Sequence, residues 1–152
     1  MNKRLEDISY IERWEGCFLY LVENINYDVP IVVGFSILVE IKNDSFIGTH
    51  SDEESAHLFD EDSIIKGYLE DNFISFTLNY PYLYFIDDYG NHKTDKSKDH
   101  PEIHYFGNFD METNSYIGSW ELYEEFKNNF GDTIIDKFAS TWDFKIVSSK
   151  EK

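Results

Sequence analysis

The chain has 152 residues, enough for one domain around one core. Its 41% hydrophobic content excludes a disordered chain, and its 18% aromatic content, with 11 Tyr and 13 Phe, favours pleated, half-buried surfaces. Against 13 basic residues stand 30 acidic ones, and the resulting net charge of −17 opposes binding to nucleic acid phosphates or anionic membranes.

The chain opens on Met1-Asn2-Lys3-Arg4 with no apolar run behind the basic pair, so it does not read as a signal peptide. No stretch approaches the roughly 20 apolar residues of a membrane span, and the cytoplasm is the expected compartment. Leu5, Ile8 and Ile11 recur at three-residue spacing, which predicts a short amphipathic helix over Lys3 to Arg13, or a cap on one end of the core. Trp14 to Glu23 reads as a strand with apolar residues on both faces. It carries the one cysteine, Cys17, so burial rather than an internal disulfide must hold the fold.

Asn24 to Pro30 reads as a turn, and Ile31 to Lys42 as a long β-branched strand. Asn43-Asp44 is a hairpin signal leading into a third strand, Ser45 to His50. Ser51 to Asp62 is acidic and loop-like. Ser63 to Leu69 and Phe73 to Tyr80 flank Glu70-Asp71-Asn72, a three-residue hairpin connection. Pro81 interrupts, Tyr82 to Ile86 resumes, and Asp87 to Pro101 reads as a long exposed loop. Pro30, Pro81 and Pro101 all stand at strand boundaries, where a missing backbone donor is tolerated.

Ile103 to Phe109 and Ser115 to Leu122 form another hairpin around residues 110–114. Leu122, Phe126 and Phe130 lie four apart, which predicts a helix over Glu121 to Asn129 ending before Gly131. Ile134, Ile135 and Phe138 suggest a second short helix. Thr141 to Val147 alternates cleanly, with Trp142, Phe144 and Ile146 on one face, and is the last strand.

Four glycines stand mid-strand after a bulky residue: Gly48, Gly67, Gly107 and Gly118. Such placement signals sharp coiling where a sheet closes on itself, or close contact with a neighbouring ring. Consecutive hairpins predict up-and-down order, and about eight strands close into a barrel just wide enough for side chains or one small ligand. The predicted fold is therefore mainly β, a single domain over residues 1–152. It is an antiparallel up-and-down barrel with one or two short helices, whose first strand, carrying Trp14, and last strand, carrying Trp142, pair and plug one end.

The order of segments Trp14-Glu15-Gly16-Cys17-Phe18, Phe46 to Asp52, Ile64 to Tyr68, Ile74 to Tyr80, Tyr105 to Phe109 and Ile117 to Trp120 resembles uncharacterised bacterial lipocalin- and avidin-like (calycin-like) barrels. The resemblance spans most of Trp14 to Trp120 and implies a barrel that holds a ligand inside. Trp14-Glu15-Gly16 reverses the Gly-x-Trp order of lipocalins, and avidin's biotin-binding polar set has no counterpart. The resemblance therefore implies a fold and carries over no particular ligand.

Pro101 between His100 and His104 argues against a helical metal pair, and these histidines, with His92, read as solvated. Ser51-Asp52-Glu53-Glu54 and Asp60-Glu61-Asp62-Ser63 lack the glycine and alternating ligands of a calcium loop and read as solvated acids. Cys17 has no local base and reads as a small buried hydrophobe. No phosphate-binding loop or nucleophile elbow occurs, so neither cofactor nor catalytic residues are assigned. The candidate site is the barrel interior, lined by Phe76, Tyr80, Tyr105, Tyr116 and Trp120. These rings suit a small apolar or aromatic ligand, or else simply fill the barrel as core. The alternative function, drawn from charge, is an acidic interaction module that neutralises or regulates a basic protein.

Overall fold

The computed structural model describes residues 8–23 and 28–152. Ten strands follow one another among the described residues: β1 (Ser9–Glu23), β2 (Asp28–Lys42), β3 (Ser45–Asp52), β4 (Ser63–Glu70), β5 (Phe73–Asn79), β6 (Leu83–Ile86), β7 (His92–Asp95), β8 (Ile103–Asp110), β9 (Ser115–Lys127) and β10 (Thr133–Glu151). Eight of them form a closed barrel in the order β1-β10-β9-β8-β5-β4-β3-β2, and β6 pairs with β7 as a separate two-stranded sheet. Every pairing is antiparallel, so the barrel is an up-and-down meander with one hairpin inserted between β5 and β8.

Local sequence explains the turns. Asn43 and Asp44 both adopt positive φ, at 54° and 62°, the conformation that a two-residue hairpin needs and that Asn and Asp tolerate best after glycine. Asp71 and Asn114 do the same, at 53°, in the next two barrel hairpins. The direct pairing of Gly107 with Gly118 shows why glycine recurs mid-strand. A Cβ at Gly118 would run into the Phe106 carbonyl, and one at Gly107 into the Ile117 carbonyl. At Gly48 and Gly67 the nearest obstruction is likewise a carbonyl oxygen of the neighbouring strand. The crowding atom is backbone in each case, so coiling of the sheet is the reason rather than contact with a ring.

Inward positions fill the middle of the barrel with rings. Trp14, Phe46, Phe76, Tyr105, Trp142 and Phe144 are each at most 5% exposed. Phe76 stacks on Tyr105 with centroids 4.8 Å apart, and Trp142 on Phe144 at 5.3 Å. Burial of each such ring contributes about 2–3 kcal/mol, and each well-placed pair about 1 kcal/mol more. The outer face carries charges such as Glu15, Lys66, Asp143 and Lys145, opposite in sense to a lipid-embedded barrel with a polar lumen. Among the described residues no helix is long and apolar enough to cross a membrane.

Strands stand where the sequence predicts helices. Residues 121–127, read as helical, belong to β9, and Ile134, Ile135 and Phe138 belong to β10. Leu122 pairs with Phe138 and Phe126 with Ile134 across the β9–β10 hairpin. Of the amphipathic helix over Lys3 to Arg13, residues 3–7 lie outside the described residues and Ser9 onward is strand β1. The one helical piece among the described residues is a 3-10 turn, Ala56–Leu58. Within the turn read over Asn24 to Pro30, residues 24–27 lie outside the described residues and Asp28 already begins β2. The loop over Asp87 to Pro101 contains β7, a polar strand (His-Lys-Thr-Asp) held by backbone pairing to β6.

A candidate binding cavity at the barrel mouth

The seam of the barrel is incomplete at one end. β1 and β10 pair from Tyr10 and Glu151 down to Phe18 and Trp142, and there the pairing stops. β1 runs on along β2, and β10 runs on along β9, without pairing to each other. The free carbonyl of Leu19 is taken instead by the indole of Trp120, whose Nε1 donates to it at 2.9 Å. Beside this opening lies a cavity of about 580 Å³, within the range of small-molecule sites.

One side of the cavity is mainly apolar. It is formed by Ile103 of β8, Trp120 and Leu122 of β9, Phe138 and Ala139 of β10, and Phe18 of β1, and β9 and β10 add the charged Glu124 and Lys137. The other side is more polar. Asp52 and Glu54 come from the end of β3 and the turn after it, Tyr80, Tyr84, Phe85 and Ile86 from the end of β5 and the inserted hairpin, His100 from the segment before β8, and Tyr20 from β1. Such a cavity gives an apolar body a surface to lie on and a polar group a place to bond.

Asp52 is the inward-facing end of β3 and is only 3% exposed. Four donors satisfy it. The backbone N–H groups of Glu54 and Ser55 lie at 3.0 and 2.7 Å, the Ser55 hydroxyl at 2.8 Å from both oxygens, and the Tyr80 hydroxyl at 2.9 Å. A buried carboxylate needs such a set, and the arrangement fixes the turn that follows β3. Glu54 accepts the Tyr84 hydroxyl at 2.8 Å on one oxygen and the Tyr20 hydroxyl on the other. His92 Nδ1 stands 3.9 Å from Glu54 and contacts the Tyr84 hydroxyl.

Burial raises the pKa of Tyr20, Tyr80 and Tyr84, and the neighbouring carboxylates raise it further. All three therefore remain protonated donors at neutral pH. His100 packs edge-on against Tyr80 at 4.8 Å and bonds the Pro101 carbonyl through Nδ1, while burial lowers its pKa.

His50 lies behind this wall, 6% exposed, stacked on Phe35 at 5.6 Å. Neither ring nitrogen has a hydrogen-bond partner among the described residues, and Nδ1 is 3.9 Å from Asp52. Burial pushes its pKa down to about 4, outweighing the Asp52 carboxylate, which acts the other way. His50 also borders a smaller polar cleft of about 310 Å³ with Phe59, Asp60, Glu61 and Asp62.

No protein-family model and no curated protein sequence matches this chain.

The five residues chosen from sequence separate. Tyr80 and Trp120 line the cavity. Phe76 and Tyr105 belong to the packed middle of the barrel, 2% and 3% exposed. Tyr116 packs on Phe144 at 5.1 Å and Phe109 at 5.2 Å, towards the hairpin that joins β8 to β9. The acids of Ser51 to Glu54, read as solvated, include the buried Asp52 and the half-buried Glu54. Continuing the alternation Phe46, Gly48, His50 by one step puts Asp52 inside, and that signal was available in the sequence. Asp60, Glu61 and Asp62 are exposed as expected. Among the described residues no group of three or more His, Cys, Asp and Glu side chains is placed to hold a metal. Cys17 is half-buried, and burial followed by Asp143 raises its pKa, so its thiol is not activated.

Proposed function

We propose that this chain is a non-enzymatic binding protein that holds a small apolar or aromatic molecule at the mouth of its barrel, as calycin-like barrels do. The observation that carries this reading is the cavity of about 580 Å³ between Trp120 and Tyr80. It lies beside a core of buried, stacked rings that includes Phe76, Tyr105, Trp142 and Phe144. The division of labour has a physical basis. Phe76, Tyr105, Trp142 and Phe144 stabilise the barrel, while the incomplete β1–β10 seam leaves apolar side chains at the rim with surface still to bury. The net charge of −17 supports the other reading, a docking surface for a basic protein, but selects no patch on the barrel.

The test is titration with N-phenylnaphthylamine, a neutral probe whose fluorescence rises in apolar surroundings. Saturable binding is expected. Filling the cavity with Ala139→Phe or Leu122→Trp should abolish it, whereas Ile117→Trp on the outer face should not. Failure of the wild-type protein to bind the probe, or equal binding by the filled variants, would overturn the proposal.

A further inference from the structure

We infer that the molecule held at the barrel mouth is an amphipathic amine, with an aromatic or aliphatic body and an ammonium group placed at Glu54. This rests on the binding reading above and adds the charge of the ligand.

The acceptor sites that remain open point to it. Asp52 has its oxygens occupied by four donors from its own turn and from Tyr80, so it is a structural carboxylate. Glu54 differs. Each of its oxygens accepts one tyrosine hydroxyl, from Tyr20 and from Tyr84, and a carboxylate offers about four lone-pair sites. About two meet no donor among the described residues, on a side chain that is only 16% exposed and borders the cavity. Its one charge partner among the described residues is His92, at 3.9 Å. A half-buried carboxylate with open acceptor sites is best matched by a cation that donates hydrogen bonds.

The surroundings agree. The rings of Tyr20, Tyr80, Tyr84 and Trp120 all border the same space, and tyrosine and tryptophan faces attract ammonium groups. The lining includes the carboxylates of Asp52, Glu54 and Glu124 against the single lysine Lys137, which is itself 3.4 Å from Glu121. An anionic ligand would meet repulsion there, and a neutral one would bring no positive charge to Glu54. A net charge of −17 also raises the local concentration of cations over the whole surface.

Three probes of one shape separate the possibilities: naphthylethylamine, naphthylethanol and naphthylacetate, titrated calorimetrically into the full chain near neutral pH. The amine should bind about tenfold more tightly than the alcohol, and the acetate should be weakest. Glu54→Gln keeps an oxygen for a tyrosine hydroxyl but removes the charge, so the ratio of amine to alcohol affinity should fall from about tenfold to about one. Equal or tighter binding of the alcohol or the acetate by the wild-type protein overturns the inference, whether or not the variant folds. So does an amine preference that survives in Glu54→Gln. If naphthylethylamine fails to bind while N-phenylnaphthylamine binds, the cavity stands and the charge assignment falls. If neither binds, the binding reading itself falls.

Discussion

Trp14 of the first barrel strand stacks on Phe144 of the last, with ring centroids 4.6 Å apart and planes 10° from parallel. Trp142 stacks on the same Phe144, and Trp14 also meets Phe46 edge-on at 5.1 Å. The backbone ladder between β1 and β10 is thus doubled on the inside by a ladder of rings. Closing a barrel requires its most distant segments to meet, which costs loop entropy before any contact forms. Burial of rings at that seam offsets the cost.

Truncation at the seam should therefore be severe. Trp14→Ala removes a side chain that is 1% exposed and should destabilise by about 3–5 kcal/mol in urea unfolding. Trp14→Phe, which keeps a ring for Phe144, should cost clearly less. A loss below about 1 kcal/mol for the alanine variant would mean that the seam does not depend on this ring.

The Gly107–Gly118 pair makes a different demand. Gly118→Ala places a methyl group against the Phe106 carbonyl and the Gly107 Cα, and neither can move without opening the sheet. A cost of about 1–3 kcal/mol or more is expected. Gly131→Ala is the control. It sits at φ +80° with nothing within 4 Å of its Cβ, so its penalty is conformational only, about 1–2 kcal/mol. Thermal melts should place Gly118→Ala below Gly131→Ala, and the reverse order would contradict sheet coiling as the reason for the pair.

The barrel was legible because its signals are local. Asn43-Asp44, residues 70–72 and residues 110–114 announce hairpins, and the period of two between them sets which face is inside. The β9–β10 hairpin looks helical in the sequence for an arithmetical reason. Leu122 and Phe126, or Ile134 and Phe138, lie four apart, and four fits a helical turn and two strand repeats equally well. Only their cross-strand pairing decides, and pairing is not a local property. The same ambiguity conceals Phe138 as a cavity residue. Asp52 and Glu54 were obscured by composition, because an acidic stretch looks solvated unless the donors that bury it are known. Those donors include Tyr80 and Tyr84, far along the chain.

The Asp52 cluster should be structural before it is functional. Tyr80→Phe removes one of its donors and should cost about 1–2 kcal/mol. Asp52→Asn is predicted to cost more, about 2–3 kcal/mol, because an amide turns one acceptor into a donor that faces other donors. Chemical denaturation of both variants checks the ranking, and an Asp52→Asn variant as stable as the parent would show that the cluster contributes nothing net.

His50 supplies a pH dependence whose sign can be worked out. In the fold its pKa is pushed down to about 4, against 6.5 for a free imidazole. Above pH 6.5 the ring is neutral in both folded and unfolded chains, and it adds no pH dependence. As pH falls below 6.5 the unfolded chain takes up a proton that the folded chain refuses until about 4. The stability contributed by the neutral ring is therefore intact above that window and lost as pH falls through it, by about 3 kcal/mol in all. His50→Phe keeps a ring against Phe35 and removes the titration. Carboxylates titrate in both proteins, so the informative quantity is the difference between them. Between pH 6.5 and about 4 the parent should lose about 3 kcal/mol more than the variant. Parallel decline of the two curves would mean that burial between Phe35 and Tyr80 does not keep this histidine neutral, and that it finds a charge partner on acidification, with Asp52 at 3.9 Å the nearest one.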